Sequence, residues 1–379
     1  MDLADLETPR LIVDAAKMQR NIDRMQARMN ALGVRFRPHV KTSKCAEVVR
    51  RRLAAGARGI TVSTLKEAEQ FAAAGIDDIL YAVGIAPAKL DHALRLAREG
   101  VRLTLLVESV AGAAAVARHG AQHAHRHDVM IEIDTDGHRS GVRPDDPQLI
   151  AIADALRADE RGGAVLAGVM THAGSSYALH TTEALEAMAE QERSGCVRAA
   201  ARLRDAGHAC AIVSAGSTPT ALRARSLDGV SEVRAGVYVF FDLVMHNVGV
   251  CRTDEIALSV LTTVIGHQEA KGWAIVDAGW MAMSRDRGTA RQKHDFGYGQ
   301  VCAEHGTPLA GYVVADANQE HGIVARASGM DAAIAARFPV GTRLRILPNH
   351  ACATAAQYPE YHAVSSDGET ETWPRFYGW

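Results

Sequence analysis

A lysine-containing segment near the start of the chain, PHVKTSK at residues 38–44, carries the first candidate for covalent chemistry. Residues 34–40 are predicted to form a strand, which places Lys41 at its C-terminal end. An apolar core beneath a lysine disfavours the charged ammonium and leaves a neutral amine that can form a Schiff base. The alternative is an ordinary surface lysine. Lys44 is expected to be a solvated residue at the start of a helix.

A histidine and a cysteine two positions apart, His350 and Cys352, form the second candidate. Alternate residues of an extended segment point to the same face, so both side chains could reach one ion. Imidazole and thiolate together suit Zn, Mn, Co or Ni better than Ca. Pairs with this spacing also occur by chance, so the pair alone is unspecific.

A glycine and two hydroxyl residues, Gly216, Ser217 and Thr218, follow a predicted strand and precede a predicted short helix. Glycine lets the backbone approach a phosphate group closely, and hydroxyls and a helix N-terminus favour its charge. The same composition is common in helix caps, which is the alternative interpretation.

The elements that must position these residues repeat one unit, an apolar strand followed by a helix. Eight strands are predicted, at residues 35–41, 59–63, 78–83, 103–107, 129–134, 166–172, 210–214 and 232–241. Strands joined through helices run parallel, and eight such units can close into a (β/α)8 TIM-type barrel. An open, doubly wound sheet would use similar units. Polar residues such as Thr64, Glu108 and Asp134 collect at the strand C-terminal ends, which share one mouth in a barrel.

After Asp242 the pattern changes to strands separated by turns, with little helix. These strands are predicted at residues 257–266, 273–278, 312–315, 342–347 and 361–365. They indicate a second, mainly β domain at the C-terminal end. The predicted fold class is therefore α/β, a barrel followed by a β-rich domain.

Composition excludes several classes of protein. The 379 residues are 47% hydrophobic and 23% charged, with a net charge of −2, so no nucleic acid partner is indicated. The first residues are acidic where a signal peptide needs basic ones, and no apolar run reaches the roughly 20 residues of a membrane span. Six cysteines without CxxC spacing suggest buried thiols in a reducing cytoplasm.

Several segments resemble the D-threonine aldolase and D-serine dehydratase family, whose members are fold-type III relatives of alanine racemase. They are PHVKTSK (38–44), EIDTDGHRSG (132–141), THAGSSY (171–177), QEHG (319–322) and PNHACAT (348–354). The resemblance implies pyridoxal 5'-phosphate (PLP) bound through Lys41. It also implies a divalent metal (Mn, Co, Ni, Zn or Mg) on His350 and Cys352.

By the same resemblance, further residues contact the cofactor: Arg139 beside the phenolic oxygen of the ring, His172 and Tyr177 against the ring, Gly216, Ser217 and Thr218 on the phosphate, and Tyr238 nearby. Each has an alternative interpretation. Arg139 could belong to a surface turn, His172 could be a core histidine bonded to backbone, and Tyr238 could be a core residue.

In relatives of alanine racemase the first strand of the chain belongs to the β-rich domain, and residues 11–14 fit that role. The expected domains are a PLP-binding barrel at 16–245 and a discontinuous β-rich domain, 1–15 with 246–379, that carries the metal site. A homodimer is expected by resemblance only.

In this family a His-x-Cys pair accompanies the dehydratase branch, and His-x-Asp accompanies the aldolases. The cysteine therefore favours a dehydratase. Residues 60–70 and 281–292 resemble the hydroxyaspartate dehydratases of this branch. That resemblance implies a lyase that converts D-threo-3-hydroxyaspartate to oxaloacetate and ammonia, and also D-serine to pyruvate. A second substrate carboxylate would need an arginine, and three lie in one segment, Arg285, Arg287 and Arg291. A solvated basic loop is the alternative. His321 is expected near the metal or in a turn.

Four other functions compete with this one. A D-serine dehydratase proper would need no arginine partner, and a D-threonine aldolase would release glycine and an aldehyde. An amino-acid racemase needs a second base, for which no segment is apparent. A PLP carrier that is not an enzyme would lack the β-rich domain.

Overall fold

The computed structural model describes residues 3–158, 162–365 and 368–379. The chain forms two compact units, one of Arg24–Gly236 with Phe376–Trp379 and one of Met1–Asp23 with Val237–Arg375. The domain limits expected from the sequence, 16–245 and 1–15 with 246–379, differ from these bounds by several residues and stay a prediction. Strand β1 (Arg10–Asp14) is the first strand and is followed by helix α1 (Ala15–Ala31).

Eight parallel strands form the barrel of the first unit. They are β2 (Arg35–Phe36), β3 (Ile60–Val62), β4 (Asp78–Gly84), β5 (Arg102–Val107), β6 (His127–Ile133), β7 (Ala164–Thr171), β8 (Ile212–Ala215) and β9 (Glu232–Val233). Each pairs with its neighbour in chain order from β3 to β9, and β9 pairs with β2. A parallel bridge between His39 and Thr61 joins β2 to β3 and closes the ring. The (β/α)8 prediction is confirmed.

Helices connect the barrel strands. They are α2 (Ala46–Ala54), α3 (Leu65–Ala73), α4 (Leu90–Arg98), α5 (Val110–Gln122), α6 (Gln148–Arg157), α7 (Thr182–Asp205) and α8 (Thr218–Arg223). Thr64 and Glu67 stand three positions apart, a spacing that predicts a capped helix start. The hydroxyl of Thr64 accepts a hydrogen bond from the amide of Glu67 at 3.0 Å and caps α3. The spacing of Met18, Ile22 and Met25, by four and then three positions, predicts an apolar helix face, and all three are buried on α1.

The second unit is mainly β, as predicted. Its later strands are β10 (Leu258–Gln268), β11 (Trp273–Val276), β12 (Gly299–Ala303), β13 (Pro308–Ala317), β14 (Gly322–Arg326), β15 (Arg343–Pro348), β16 (Glu360–Val364) and β17 (Thr370–Pro374). The sheet order is β11-β14-β13-β12-β15-β10-β1-β16-β17, and a further pairing of β10 with β11 closes six of the strands into a small barrel. Four short helices interrupt the strands: α9 (Leu243–Val248), α10 (Trp280–Met283), α11 (Ile334–Arg337) and α12 (Ala351–Ala355).

The structure corrects several predicted strands. The first and last barrel strands are two residues long each, not the seven to ten expected. Pro38 lacks an amide hydrogen for the ladder, and beyond Gly236 the chain turns into a 3₁₀ helix, Val237–Val239. Strands β12, β14 and β17 were missed because their sequences are short and mix polar or small residues with apolar ones. Among the described helices, none combines the length and apolar character needed to cross a bilayer.

Candidate active site

Lys41 lies in a turn just after β2, so it is past the strand end and not on it. Its backbone amide donates to Nδ1 of His39 at 3.4 Å. Burial and the nearby charges of Lys41 and Arg234 hold the pKa of His39 well below its ordinary value, so the imidazole is a neutral acceptor. Arg52, itself buried, donates to the carbonyl of His39 at 3.0 Å. The side chain of Lys41 is exposed, so the expected burial of its amine is wrong for this chain.

Lys44 has a structural role that the sequence did not show. Its ammonium pairs with the buried carboxylate of Glu67 at 3.1 Å and also lies over the ring of Trp379. Its backbone has a positive φ of 43° and precedes α2. The prediction of a solvated residue at a helix start is therefore wrong.

His172 is the point around which several predicted residues of the barrel unit gather. Burial, followed by the charges of Lys41, Arg234 and Arg139, lowers its pKa to about 3. The ring also has a backbone hydrogen bond with Gly216, and its centroid lies 6.0 Å from that of Tyr177. The structure thus brings His172 near four of the predicted cofactor residues. A ring with so low a pKa is neutral throughout the physiological range.

The glycine and hydroxyl segment has the conformation expected of a close backbone turn. Gly216 has a φ of +109°, and a Cβ there would lie 2.7 Å from Cγ1 of Val233, so glycine is required. Ser217 caps α8 through a reciprocal bond pair with Thr220, and its hydroxyl lies 2.9 Å from that of Ser176. The Ser217 hydroxyl therefore acts as a helix cap, which was the alternative interpretation. A bound phosphate would have to share this hydroxyl with the helix.

A buried ionic network behind this segment was missed by sequence reasoning. The guanidinium of Arg234 donates to the hydroxyl of Ser214 at 2.8 Å and to the carbonyl of Thr171. Glu192 accepts from the amide of Ala173 at 2.8 Å, and burial raises the pKa of this carboxyl. Arg234 stands between Val233 and Ala235 in a predicted strand, and a charged residue at such a position can indicate a buried ion pair. The network fixes the backbone on both sides of His172.

Tyr238 belongs to the other unit, in the 3₁₀ helix Val237–Val239, and is fully buried there. It was predicted to lie on the eighth barrel strand. That placement is wrong, because β9 ends at Val233.

In the β-rich unit, His350 and Cys352 are brought together, but by a different geometry from the one predicted. His350 is the extended N-cap residue of α12 (φ −135°, ψ 107°), and Cys352 lies in the first turn of that helix. The expected extended segment is wrong, because the following alanines favour helix. The two side chains are within hydrogen-bonding distance of each other. Cys352 is half-buried, whereas the other five cysteines are buried.

The carboxylate of Asp286 holds the imidazole of His350, with 2.6 Å between Oδ2 and Nδ1. Nε2 is then the nitrogen left for a metal, and imidazole with thiolate is a donor set that first-row divalent metals accept. The residues therefore fit a metal site. Sequence reasoning missed Asp286, although it stands between two arginines that were singled out.

Hydrogen bonds fix the backbone around this pair. The buried carboxylate of Asp242 accepts from the amides of Ala351 and Met245, each at 2.9 Å. Asn349 donates to the carbonyl of Gly297 at 2.7 Å and accepts from the hydroxyl of Thr289 at 3.0 Å. The start of α12 and the loop that carries Asp286 are thereby held together.

The three arginines differ in their surroundings. Arg287 pairs with Asp295 at 2.9 Å, so much of its charge is already balanced. The guanidinium of Arg285 lies 4.8 Å from the centre of the Trp280 ring. Arg291 is exposed. The arginines therefore do not act as one uniform basic patch.

His321 is exposed in the turn between β13 and β14. Its carbonyl accepts from the amide of Asn318 at 2.8 Å, and the carbonyl of Asn318 accepts from the amide of Trp280 at 2.9 Å. The turn is thus tied to the helix that carries the ring under Arg285.

Comparison with known proteins follows the same division of the chain. The family model described as "Alanine racemase, N-terminal domain" matches residues 13–244. The model described as "Putative serine dehydratase domain" matches residues 257–364.

Three characterised relatives match nearly the whole chain. A D-threo-3-hydroxyaspartate dehydratase of Delftia sp. (strain HT23) is 64% identical, covering 100% of this chain and 99% of the relative. A D-serine dehydratase of Dictyostelium discoideum is 28% identical, covering 97% and 96%. A D-threonine aldolase of Arthrobacter sp. is 31% identical, covering 92% and 86%.

Solved structures agree with the sequence comparison. The Delftia dehydratase superposes with a TM-score of 0.98 at 64% identity, with all of both chains covered. A cysteine-to-alanine mutant of that enzyme has been solved in a form described as metal-free, which implies that the enzyme binds a metal. The chain belongs to the alanine racemase-like family of PLP-dependent enzymes, in the branch that contains the D-serine dehydratases and D-threonine aldolases.

Proposed function

We propose that this protein is a PLP- and divalent-metal-dependent dehydratase that converts D-threo-3-hydroxyaspartate to oxaloacetate and ammonia, and D-serine to pyruvate and ammonia. The observation that carries the proposal is the 64% identity, over the full length of both chains, with an enzyme of that activity. The adjacent His350 and Cys352 supply the donor set that such a reaction needs for a metal.

When bound, PLP makes the α-hydrogen of the substrate acidic, and a divalent metal polarises the β-hydroxyl so that it can leave. Lys41 is proposed to hold the cofactor and then, as a free amine, to remove the α-proton. Its exposed side chain, beside the neutral rings of His39 and His172, keeps the amine accessible.

Arg139, His172 and Tyr177 are proposed to orient the cofactor ring. Because the pKa of His172 is about 3, its ring can pack against an aromatic system without carrying charge. Arg139 supplies a cation for the phenolic oxygen. Gly216, Ser217 and Thr218 are proposed to bind the phosphate, and Tyr238 is proposed to complete the cofactor contacts.

His350 and Cys352 are proposed to hold the metal, with Asp286 as a positioning residue. The bond from Nδ1 of His350 to Asp286 selects the tautomer whose Nε2 can donate a lone pair. His321 is proposed to lie near this site. Cysteine, as against aspartate, at the second position is the feature that favours loss of water over carbon–carbon cleavage.

Arg285 is proposed to bind the second carboxylate of hydroxyaspartate. Of the three arginines in its segment, Arg287 already pairs with Asp295. The Arg285 guanidinium lies over the Trp280 ring, 4.8 Å from its centre, and a guanidinium can make a two-point bond to a carboxylate. D-serine lacks this carboxylate and would not use the contact.

The test is incubation of the purified protein with PLP and each of three substrates, D-threo-3-hydroxyaspartate, D-serine and D-threonine, with and without a chelator. We expect keto acid and ammonia in equal amounts from the first two, and loss of both when the metal is removed. Glycine and an aldehyde as the main products would show an aldolase instead. Keto acid formation that survives complete metal removal would contradict the metal's role.

A homodimer is also proposed, by analogy with relatives that share this fold. Sedimentation of the purified protein at micromolar concentration measures the mass directly. A mass of twice that of the chain supports the proposal, and a monomer that is fully active contradicts it.

A further inference from the structure

The barrel unit carries a cluster of histidines that the proposed reaction does not use. Four of them lie in one stretch, HGAQHAHRH at residues 119–127. His119 and His123 are four positions apart at the end of α5, so they share one helix face. Tracts of this composition are typical of metal binding.

The neighbouring helix supplies a carboxylate to the same place. Asp91, in the first turn of α4, has its Oδ1 3.0 Å from Nε2 of His119. One ligand atom each from Asp91, His119 and His123 can be chosen so that all three lie within 4.8 Å of one another. Around a tetrahedral zinc ion, with bonds of about 2.0–2.2 Å, such atoms are about 3.3 Å apart. The side chains of Asp91 and His123 are exposed, so they can rotate to bring their ligand atoms closer together.

A buried histidine, His127, contacts the ring of His119 and orients it. Nε2 of His127 lies 3.2 Å from Nδ1 of His119, and His127 is 2% exposed. Nε2 of His127 can accept a hydrogen bond from Nδ1–H of His119 when the His127 ring carries its own proton on Nδ1. With Nδ1–H of His119 donated to His127, Nε2 faces Asp91, and a bound cation would replace the proton that Nε2 donates to this carboxylate. An acceptor bonded to the far nitrogen is the arrangement that orients histidine ligands in metal sites.

We propose that Asp91, His119 and His123 form a second, surface metal site for a late first-row divalent cation such as Zn²⁺, with His127 as the positioning residue for His119. The site has nitrogen and oxygen ligands and leaves a fourth position for water, as three-ligand zinc sites do. It contains no thiolate, unlike the pair of His350 and Cys352, and it lies wholly within the barrel unit. It is independent of the proposed function.

The test compares two full-length variants that each lose one exposed histidine. His123→Ala removes a proposed ligand. His305→Ala removes an exposed histidine in the other unit and serves as the matched control. Both proteins are titrated with ZnCl₂ alone by isothermal calorimetry, and bound zinc is counted after dialysis.

We expect His123→Ala to bind one zinc ion fewer per chain than the unmodified protein, and His305→Ala to bind the same number. Dehydratase activity should be unchanged in both variants, because neither residue belongs to the proposed active site. Equal zinc stoichiometry in His123→Ala and His305→Ala would overturn the proposal.

A second pair of variants tests the role of His127. His127→Leu removes the acceptor and should weaken zinc binding at this site by roughly 10–100-fold. His127→Gln keeps an acceptor oxygen and should recover most of the affinity. Leu and Gln variants that bind zinc equally well would contradict the positioning role, and melting temperatures measured without zinc identify any loss of folding.

Discussion

The carboxylate of Asp286 and the imidazole of His350 are 2.6 Å apart, although 64 positions separate them in the chain. This contact fixes one ring nitrogen and leaves the other for a metal. It also links the segment with the three arginines to the start of α12, so proposed substrate and metal residues share one support. The consequence for metal binding can be tested.

Replacing Asp286 by Asn should weaken metal binding at the His350–Cys352 pair by roughly 10–100-fold, because the amide no longer selects the productive tautomer. The measurement is a titration with Co²⁺, followed by absorption of the thiolate–cobalt bond, which reports only on a site with Cys352. Asp316→Asn, an exposed change in the same unit, is the control. Equal affinities for the two variants would remove Asp286 from the site.

Replacing Lys41 by Ala should abolish the absorption band of covalently held PLP and the dehydratase activity together. The amine of Lys41 is proposed both to hold the cofactor and to remove the α-proton. Lys44→Ala is the matched control from the same segment and should retain the band. A band that persists in Lys41→Ala would assign the cofactor to another lysine.

Lys44→Ala should instead lower stability. The change removes the ion pair at 3.1 Å, while the bonds of the buried Glu67 carboxylate to Ser63 remain. Losing a hydrogen bond to a charged group costs about 1.5–3 kcal/mol. Urea unfolding should show this loss, and Lys66→Ala, whose ion pair with Glu69 is on the surface, should lose less than about 1 kcal/mol. Equal losses would mean that Glu67 does not depend on Lys44.

Arg285→Ala should raise KM for D-threo-3-hydroxyaspartate by about tenfold or more and leave the kinetics with D-serine unchanged. A charged hydrogen bond of about 1.5–3 kcal/mol is lost with only one of the two substrates. Arg326→Ala, an exposed arginine of the same unit, is the control. A parallel loss with both substrates would show that Arg285 supports the loop and does not recognise the carboxylate.

Stability should fall with acid in a way that depends on His172. Burial and the nearby cations lower the pKa of His172 to about 3 from its ordinary 6.5. Between these values the unfolded chain binds a proton that the native chain does not. The free energy of unfolding therefore falls as the pH drops below 6.5, by at most about 1.4 kcal/mol per pH unit. Urea unfolding between about pH 5 and 7 should show a smaller slope for His172→Asn. An unchanged slope would mean that native His172 takes up the proton.

The sequence by itself determined the architecture and the cofactor chemistry. Eight strand–helix repeats predict a parallel barrel, and local spacing predicts caps such as that of Thr64, because periodicity and capping depend on near neighbours. Residue types at short spacing singled out the segment around Lys41 and the pair of His350 and Cys352, and resemblance to a known family supplied their cofactor and metal roles, which stay proposals. These local patterns survive even where the strand limits were wrong.

Only the tertiary structure decided which partners those residues have. Lys44 was expected in solvent but meets the buried Glu67, and Arg234 lies in a buried network behind His172. Asp286 reaches His350 across 64 positions, and Asp91 reaches His119 from another helix. Such contacts depend on how separate elements pack, and the order of residues along one element carries no record of that packing.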